Sequence, residues 1–168
     1  MPWVWLSIGS NQDRERCIGG AVAELQRRHG ELVLSRVYES EAVGFEGHPF
    51  YNLVAGFDTA RPMAELMAEL RHIEDAFGRR RGPDKFAPRT LDIDLLTYGD
   101  LVSSDPALDI PRDEIMRYAF VLGPLAEVAA HERHPGNGHT YAELWDDFDQ
   151  AAQPLHPVAF DFAVCGET

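Results

Sequence analysis

The chain contains no run of eighteen apolar residues, so it offers no candidate membrane-spanning helix. Its opening residues, "MPWVWLSIGSNQ", lack the basic flank and long apolar core of a secretory signal. Cysteine is scarce: Cys17 and Cys165 are the only two, and neither sits in a metal-like spacing. A reducing, cytoplasmic setting is therefore expected, with no membrane partner. Positive charge is also short, with 15 Lys and Arg against 28 Asp and Glu and a net charge of −13. A surface this acidic argues against nucleic acid, whose phosphates require a basic face. Internal repeats, low-complexity tracts and linkers are missing too. One domain over residues 1–168 is expected, with a core over 1–130 and an extension over 131–168.

What is present is enough for a single core: 168 residues, 45% of them hydrophobic. "WVWLSI" from Trp3 to Ile8 has strand length. Asn11 or Asp13 can cap a helix that starts at Arg14, carries Cys17, Ala21 and Leu25 on one stripe, and stops at Gly30. "ELVLSRVYES" and "FYNLVAGFDT" read as strands. Pro62 opens a second helix with Leu66, Leu70, Ile73 and Phe77 as its stripe and Gly78 as its stop. "TLDIDLLTY" supplies a fourth strand. The order strand, helix, strand, strand, helix, strand predicts an α+β fold, a ferredoxin-like βαββαβ antiparallel sheet with helices on one face. "IPRDEIMRYAFVLGPLAEVAA" predicts a short helix, an extended piece and another helix, and "YAELWDDF" one more helix. "HPVAFDFAVCGET" alternates enough to add an edge strand within the C-terminal extension.

One stretch breaks the bland pattern. In "TLDIDLLTY", Asp92 and Asp94 lie two apart and so project to one face, with Leu91, Ile93 and Leu95 on the other. Paired carboxylates repel unless a cation neutralises them, and their hard oxygens suit Mg²⁺ together with substrate phosphates. Just upstream, Arg79, Arg80, Arg81, Lys85 and Arg89 place five cations within eleven residues. That loop either faces a small anion such as a nucleotide or is a solvated loop paired to acidic neighbours. A D-x-D pair alone also occurs by chance. In "FYNLV", Phe50 and Asn52 share a face, and a ring beside a carboxamide can stack a flat heterocycle and read its edge; an aromatic in a strand is more often core. His131, His134 and His139 form no complete metal set and read as part of a turn-rich loop.

Taken together, "SIGSNQDR", "FYNLV", "IEDAFGRRRGPDKFAPRTLDIDLLTYGD" and "IPRDEIMRYAFVLGPLAEVAA" resemble, in this order, the motifs of the 6-hydroxymethyl-7,8-dihydropterin pyrophosphokinase family. The resemblance spans roughly the first 130 residues. It implies an ATP-dependent, Mg²⁺-dependent transfer of pyrophosphate to the pterin hydroxymethyl group, with release of AMP, in folate biosynthesis. It also implies roles by position. Asp92 and Asp94 would hold two Mg²⁺ ions, with Arg79 and Arg89 against the phosphates and Arg81 nearby. Glu74 and Leu95 would line the nucleotide site. Phe50 and Phe120 would sandwich the pterin, Asn52 would bond its edge, and main-chain groups from Ser40 to Val43 would complete the pocket. A monomer acting on two small molecules, pterin and ATP, is expected.

The chain departs from the family where the outer nucleotide wall falls. Arg112 follows Pro111 where a histidine is usual, Tyr118 stands where an arginine is common, and Phe86-Ala87 replaces Trp-Gly. Ala107 and Asp109 fall at positions where polar or basic groups often meet ATP. Arg112 either binds phosphate with a permanent charge or is a surface residue. The alternative reading is a divergent paralogue with weak activity, another pterin substrate, or a pterin- or nucleotide-binding role.

Overall fold

The computed structural model describes residues 1–40, 49–77, 91–103, 105 and 107–162. Strand β1 runs Trp3–Ser10 and helix α1 Arg14–His29. Strands β2 (Val33–Leu34), β3 (Val37–Ser40) and β4 (Phe50–Asp58) follow, then helix α2 (Met63–Ala76) and strand β5 (Asp92–Tyr98). Helices α3 (Glu114–Arg117), α4 (Ala119–Val128) and α5 (Tyr141–Asp147) precede a short 3₁₀ turn and strand β6 (His156–Val158). The expected α+β sheet is present: its strands run antiparallel in the order β5-β1-β4-β3-β6, with β2 also on β4. Among the described residues no helix is long and apolar enough to cross a membrane.

Strand alternation decides which side chains meet which helices. Val4, Leu6, Ile8, Leu53, Ala55, Phe57, Ile93 and Leu95 face the stripes of α1 and α2, including Cys17, Leu25, Leu66 and Ile73. These are the expected helices on one face. The opposite face is covered as well: Trp5, Val54 and Leu96 pack with Ile115, Leu122, Leu125, Tyr141 and Leu144 from α3, α4 and α5. Those later helices cover only one end of that face, beneath Trp5 and Leu96. Its other end, around Gly9 and Asn52, carries the polar residues.

Three local readings are refined. The predicted strand over residues 31–40 is broken at Ser35, which takes the Val54 N–H on its hydroxyl and donates its own N–H to the Val54 carbonyl. Neither Asn11 nor Asp13 caps α1 through its side chain. Asp13 sits at the N-cap in the left-handed region, φ 49°, and its carbonyl accepts from Cys17 N instead. The helix after Pro62 starts one residue on, and its predicted stop at Gly78 lies outside the described residues.

Candidate active site

The sheet register assembles the candidate residues. Asp92 pairs with Gly9 on β1, and Gly9 pairs in turn with Asn52 on β4. Asp94 pairs with Ser7, and on the far side Phe50 pairs with Ser40 and Asn52 with Tyr38 on β3. Directly paired residues point to one face, so Ser40, Phe50, Asn52, Gly9, Asp92 and Asp94 share a single surface. Two strand spacings separate Asn52 from Asp92, about 10 Å. Gly9 lies between them and contributes no side chain. A Cβ at this position would sit 2.9 Å from Asn52 Oδ1 and 3.7 Å from the Phe50 ring, so the row closes around a bare backbone floor. The glycine of "SIGSNQDR" thus answers to this close approach of Asn52 and Phe50.

Asn52 is buried, and its Nδ2 donates to Ser40 Oγ at 2.7 Å, fixing the carboxamide. Asn11, directly after β1, is buried too, and its Oδ1 takes no hydrogen bond from the described residues. A cleft of about 680 Å³ opens beside this row, lined by Ser40, Pro49, Tyr118, Phe120, Gln153 and His156 among others. Tyr118 stacks on Phe120 with centroids 5.0 Å apart and planes at 15°, and the Arg117 cation lies 5.2 Å from the Tyr118 ring. Tyr118, noted in the sequence only as a departure, is thus an aromatic extension of the Phe120 wall. Arg14, the first residue of α1, holds the entrance: its Nη1 donates to Glu39 and to the Pro49 carbonyl, and the guanidinium lies 3.9 Å from the Tyr51 ring.

Asp92 and Asp94 are half-buried on β5, side by side on the face opposite the helix-packed Ile93 and Leu95. Between Trp5 and Leu6 the β1–β5 register slips, so that β5 carries one extra residue, Leu96. This bulge leaves the Leu96 carbonyl to accept from Arg112 N at 2.9 Å. The Arg112 side chain then reaches Asp94 at 3.5 Å and Glu114 at 3.0 Å. Burial alone would lower the Arg112 pKa, but the facing carboxylates of Asp94, Glu114 and Asp109 outweigh it and raise the value. Arg112 therefore stands at the carboxylate pair as a permanent cation.

The remaining expected nucleotide residues lie elsewhere. Leu95 is 3% exposed within the core against α1 and α2. Glu74, on α2, is buried and accepts the Ile93 N–H at 2.8 Å, satisfying a donor on the edge strand. Both sit on the α2 side of β5, away from the carboxylate face. Val43, Arg79, Arg81 and Arg89 lie outside the described residues. Among the described residues there is no group of three or more His, Cys, Asp or Glu side chains placed to hold a metal. The donor set that fits a hard divalent cation is the carboxylate pair itself, with room for substrate oxygens at the remaining positions. Two of the three loop histidines are otherwise employed: His134 Nδ1 accepts from Gly136 N and Asn137 N, and His139 pairs with Glu143.

Residues 5–130 match the family model described as 7,8-dihydro-6-hydroxymethylpterin-pyrophosphokinase. The chain is 37% identical over 142 residues to the 2-amino-4-hydroxy-6-hydroxymethyldihydropteridine pyrophosphokinase of Synechocystis, covering 83% of this chain and 71% of that protein. It is 32% identical over 162 residues to the folic acid synthesis protein fol1 of Pneumocystis carinii, covering 94% of this chain and 22% of that one. Among solved structures, the wild-type Plasmodium falciparum HPPK-DHPS superposes with a TM-score of 0.65 at 13% identity, over 86% of this chain and 44% of that one. At that identity the likeness concerns the fold. The chain thus spans under a quarter of the Pneumocystis protein and less than half of the Plasmodium one. With a family match over most of its length and a bacterial relative above 30% identity, the chain belongs to the 7,8-dihydro-6-hydroxymethylpterin-pyrophosphokinase family.

Proposed function

We propose that the chain transfers pyrophosphate from ATP to the hydroxymethyl group of 6-hydroxymethyl-7,8-dihydropterin, releasing AMP, as a cytoplasmic monomer in folate biosynthesis. The observation that carries this reading is the row Asn52, Gly9, Asp92 across three neighbouring strands. It puts a group able to read a heterocycle edge about 10 Å from a group able to hold a cation, over a floor with no side chain.

In this reading Phe50 and Phe120 stack the pterin and Asn52, held by Ser40, bonds its edge. Asp92 and Asp94 would hold the two expected Mg²⁺ ions, whose charge would neutralise the triphosphate. Arg112 adds a fixed positive charge beside Asp94, where a phosphate oxygen can accept from its guanidinium. Glu74 and Leu95, on the α2 side of β5, meet the nucleotide across the outer edge of that strand, with Arg79, Arg81 and Arg89 completing the phosphate contacts. The pterin hydroxyl oxygen bonds to the β-phosphorus as the bond to the bridging α–β oxygen breaks. AMP departs with that electron pair, and the hydroxyl proton is released to solvent. No side chain in the row is placed as a strong base, so orientation and charge neutralisation supply the acceleration.

The test is AMP release by purified protein with ATP, Mg²⁺ and 6-hydroxymethyl-7,8-dihydropterin. Pterin-dependent AMP is expected. Pterin binding without AMP would replace this reading with that of a binding paralogue, for which the substitution at Arg112 is the motivating observation.

A further inference from the structure

The C-terminal segment beyond the family match touches both walls of the cleft. Gln153 meets the junction between α3 and α4: its Oε1 accepts from Ala119 N at 2.9 Å, and its Nε2 donates to the Arg117 carbonyl at 3.0 Å. An amide carries an acceptor and a donor side by side, which is what these two main-chain groups require. The residues it spans are Arg117, Tyr118 and Ala119, immediately before Phe120. Two residues on, Leu155 packs on α4 at Gly123, where an added Cβ would lie 2.8 Å from the Leu155 side chain. The chain then enters β6, where Val158, Pro157 and His156 pair with Val37, Tyr38 and Glu39. Ser40, the next residue of β3, is the one that fixes Asn52. The segment is therefore tied at one end to the helix bearing Phe120 and at the other to the strand bearing Ser40, and Gln153, Leu155 and His156 line the space between them.

We infer that residues 153–158 form a strap that sets the width of the pterin slot, with Gln153 as a positioning residue for Phe120. The inference rests on the pterin reading above and adds a residue to it. Loss of the amide frees the Ala119 N–H and the Arg117 carbonyl together, and lets the start of α4 relax from the cleft. The carboxylate pair belongs to β5, and Arg112, though paired with Glu114 at the start of α3, is also held on β5 by Asp94 and the Leu96 carbonyl, so both keep their places. The effect should thus fall on pterin and spare nucleotide. A carboxylate at this position still accepts from Ala119 but faces the Arg117 carbonyl with an oxygen, so it cannot substitute for the amide.

The experiment is calorimetric titration of 6-hydroxymethyl-7,8-dihydropterin into the full chain with Mg²⁺ and a non-hydrolysable ATP analogue. It is run for the unaltered protein, Gln153→Ala, Gln153→Glu and Leu155→Ala, each also titrated with the ATP analogue alone and melted thermally. Gln153→Ala is expected to weaken pterin about tenfold, as for loss of a hydrogen-bonded anchor. Gln153→Glu should weaken it at least as much, with ATP-analogue affinity unchanged in both. In turnover, KM for pterin should rise while KM for ATP holds. Unchanged pterin affinity in folded Gln153→Ala and Leu155→Ala overturns the strap, as does an equal loss for both ligands. If the unaltered protein itself takes no pterin, the functional reading falls first.

Discussion

Gly9→Ala separates the site from the fold more sharply than any other single change. The new methyl would lie 2.9 Å from Asn52 Oδ1, with the Phe50 ring at 3.7 Å and the Tyr51 carbonyl at 3.8 Å. Relaxed contacts of this kind need about 3.5 Å, so the carboxamide must retreat by roughly half an ångström. It is held in place by its 2.7 Å bond to Ser40 Oγ, so retreat stretches or breaks that bond. A lost hydrogen bond at a buried carboxamide costs about 1–3 kcal/mol. Against this, alanine in an extended strand recovers about 0.5–1 kcal/mol relative to glycine by restricting the unfolded chain. Net folding stability should therefore fall by no more than about 2.5 kcal/mol. Pterin binding has no such offset. It loses its edge contact and part of its floor, which at about 1.4 kcal/mol per decade means a tenfold or greater rise in Kd. Calorimetry with pterin, alongside a thermal melt and a titration with the ATP analogue, reads these quantities separately. Pterin affinity equal to that of the unaltered protein would refute the placement of Gly9 and Asn52 beneath the substrate.

Other residues give further expectations. Asp94→Asn, on a half-exposed side chain, should leave the melting temperature within a few degrees while abolishing AMP release and Mn²⁺ binding followed by paramagnetic resonance. Retained Mn²⁺ binding would remove Asp94 from the metal assignment. Arg112→Ala should weaken the ATP analogue about tenfold and spare pterin, since the lost charge lies at Asp94 and away from the cleft; unchanged nucleotide affinity would make Arg112 a structural clamp only. Burial lowers the His134 pKa, and its unprotonated Nδ1 accepts two main-chain N–H groups. The unfolded chain thus takes a proton more readily, so this contribution is present above about pH 6.5 and is lost as pH falls toward the folded pKa. Urea melts at pH 8 and pH 5.5 should show that loss, and His134→Asn, which retains an acceptor, should flatten it.

Much of the site was legible because its signals are local. Alternation along a strand puts Asp92 with Asp94 and Phe50 with Asn52, whatever the strand pairs with, and the periodic stripe of α1 places Cys17 and Leu25 in the core in the same way. The helix stop at Gly30 depends only on neighbouring backbone. What the chain alone could not disclose is which rows meet. Gly9 becomes the floor only when β1 pairs with both β4 and β5 in this register, and Arg112 reaches Asp94 only through a bulge at Leu96. The covering of the second face by α3 to α5 and the tie from Gln153 to Ala119 join residues far apart in sequence. Periodicity repeats every two or 3.6 residues and carries no information about a partner a hundred positions away. Side-chain chemistry along each element was therefore written in the amino acids, whereas the alignment of those elements, which turns separate motifs into one pocket, was settled by long-range packing and strand register.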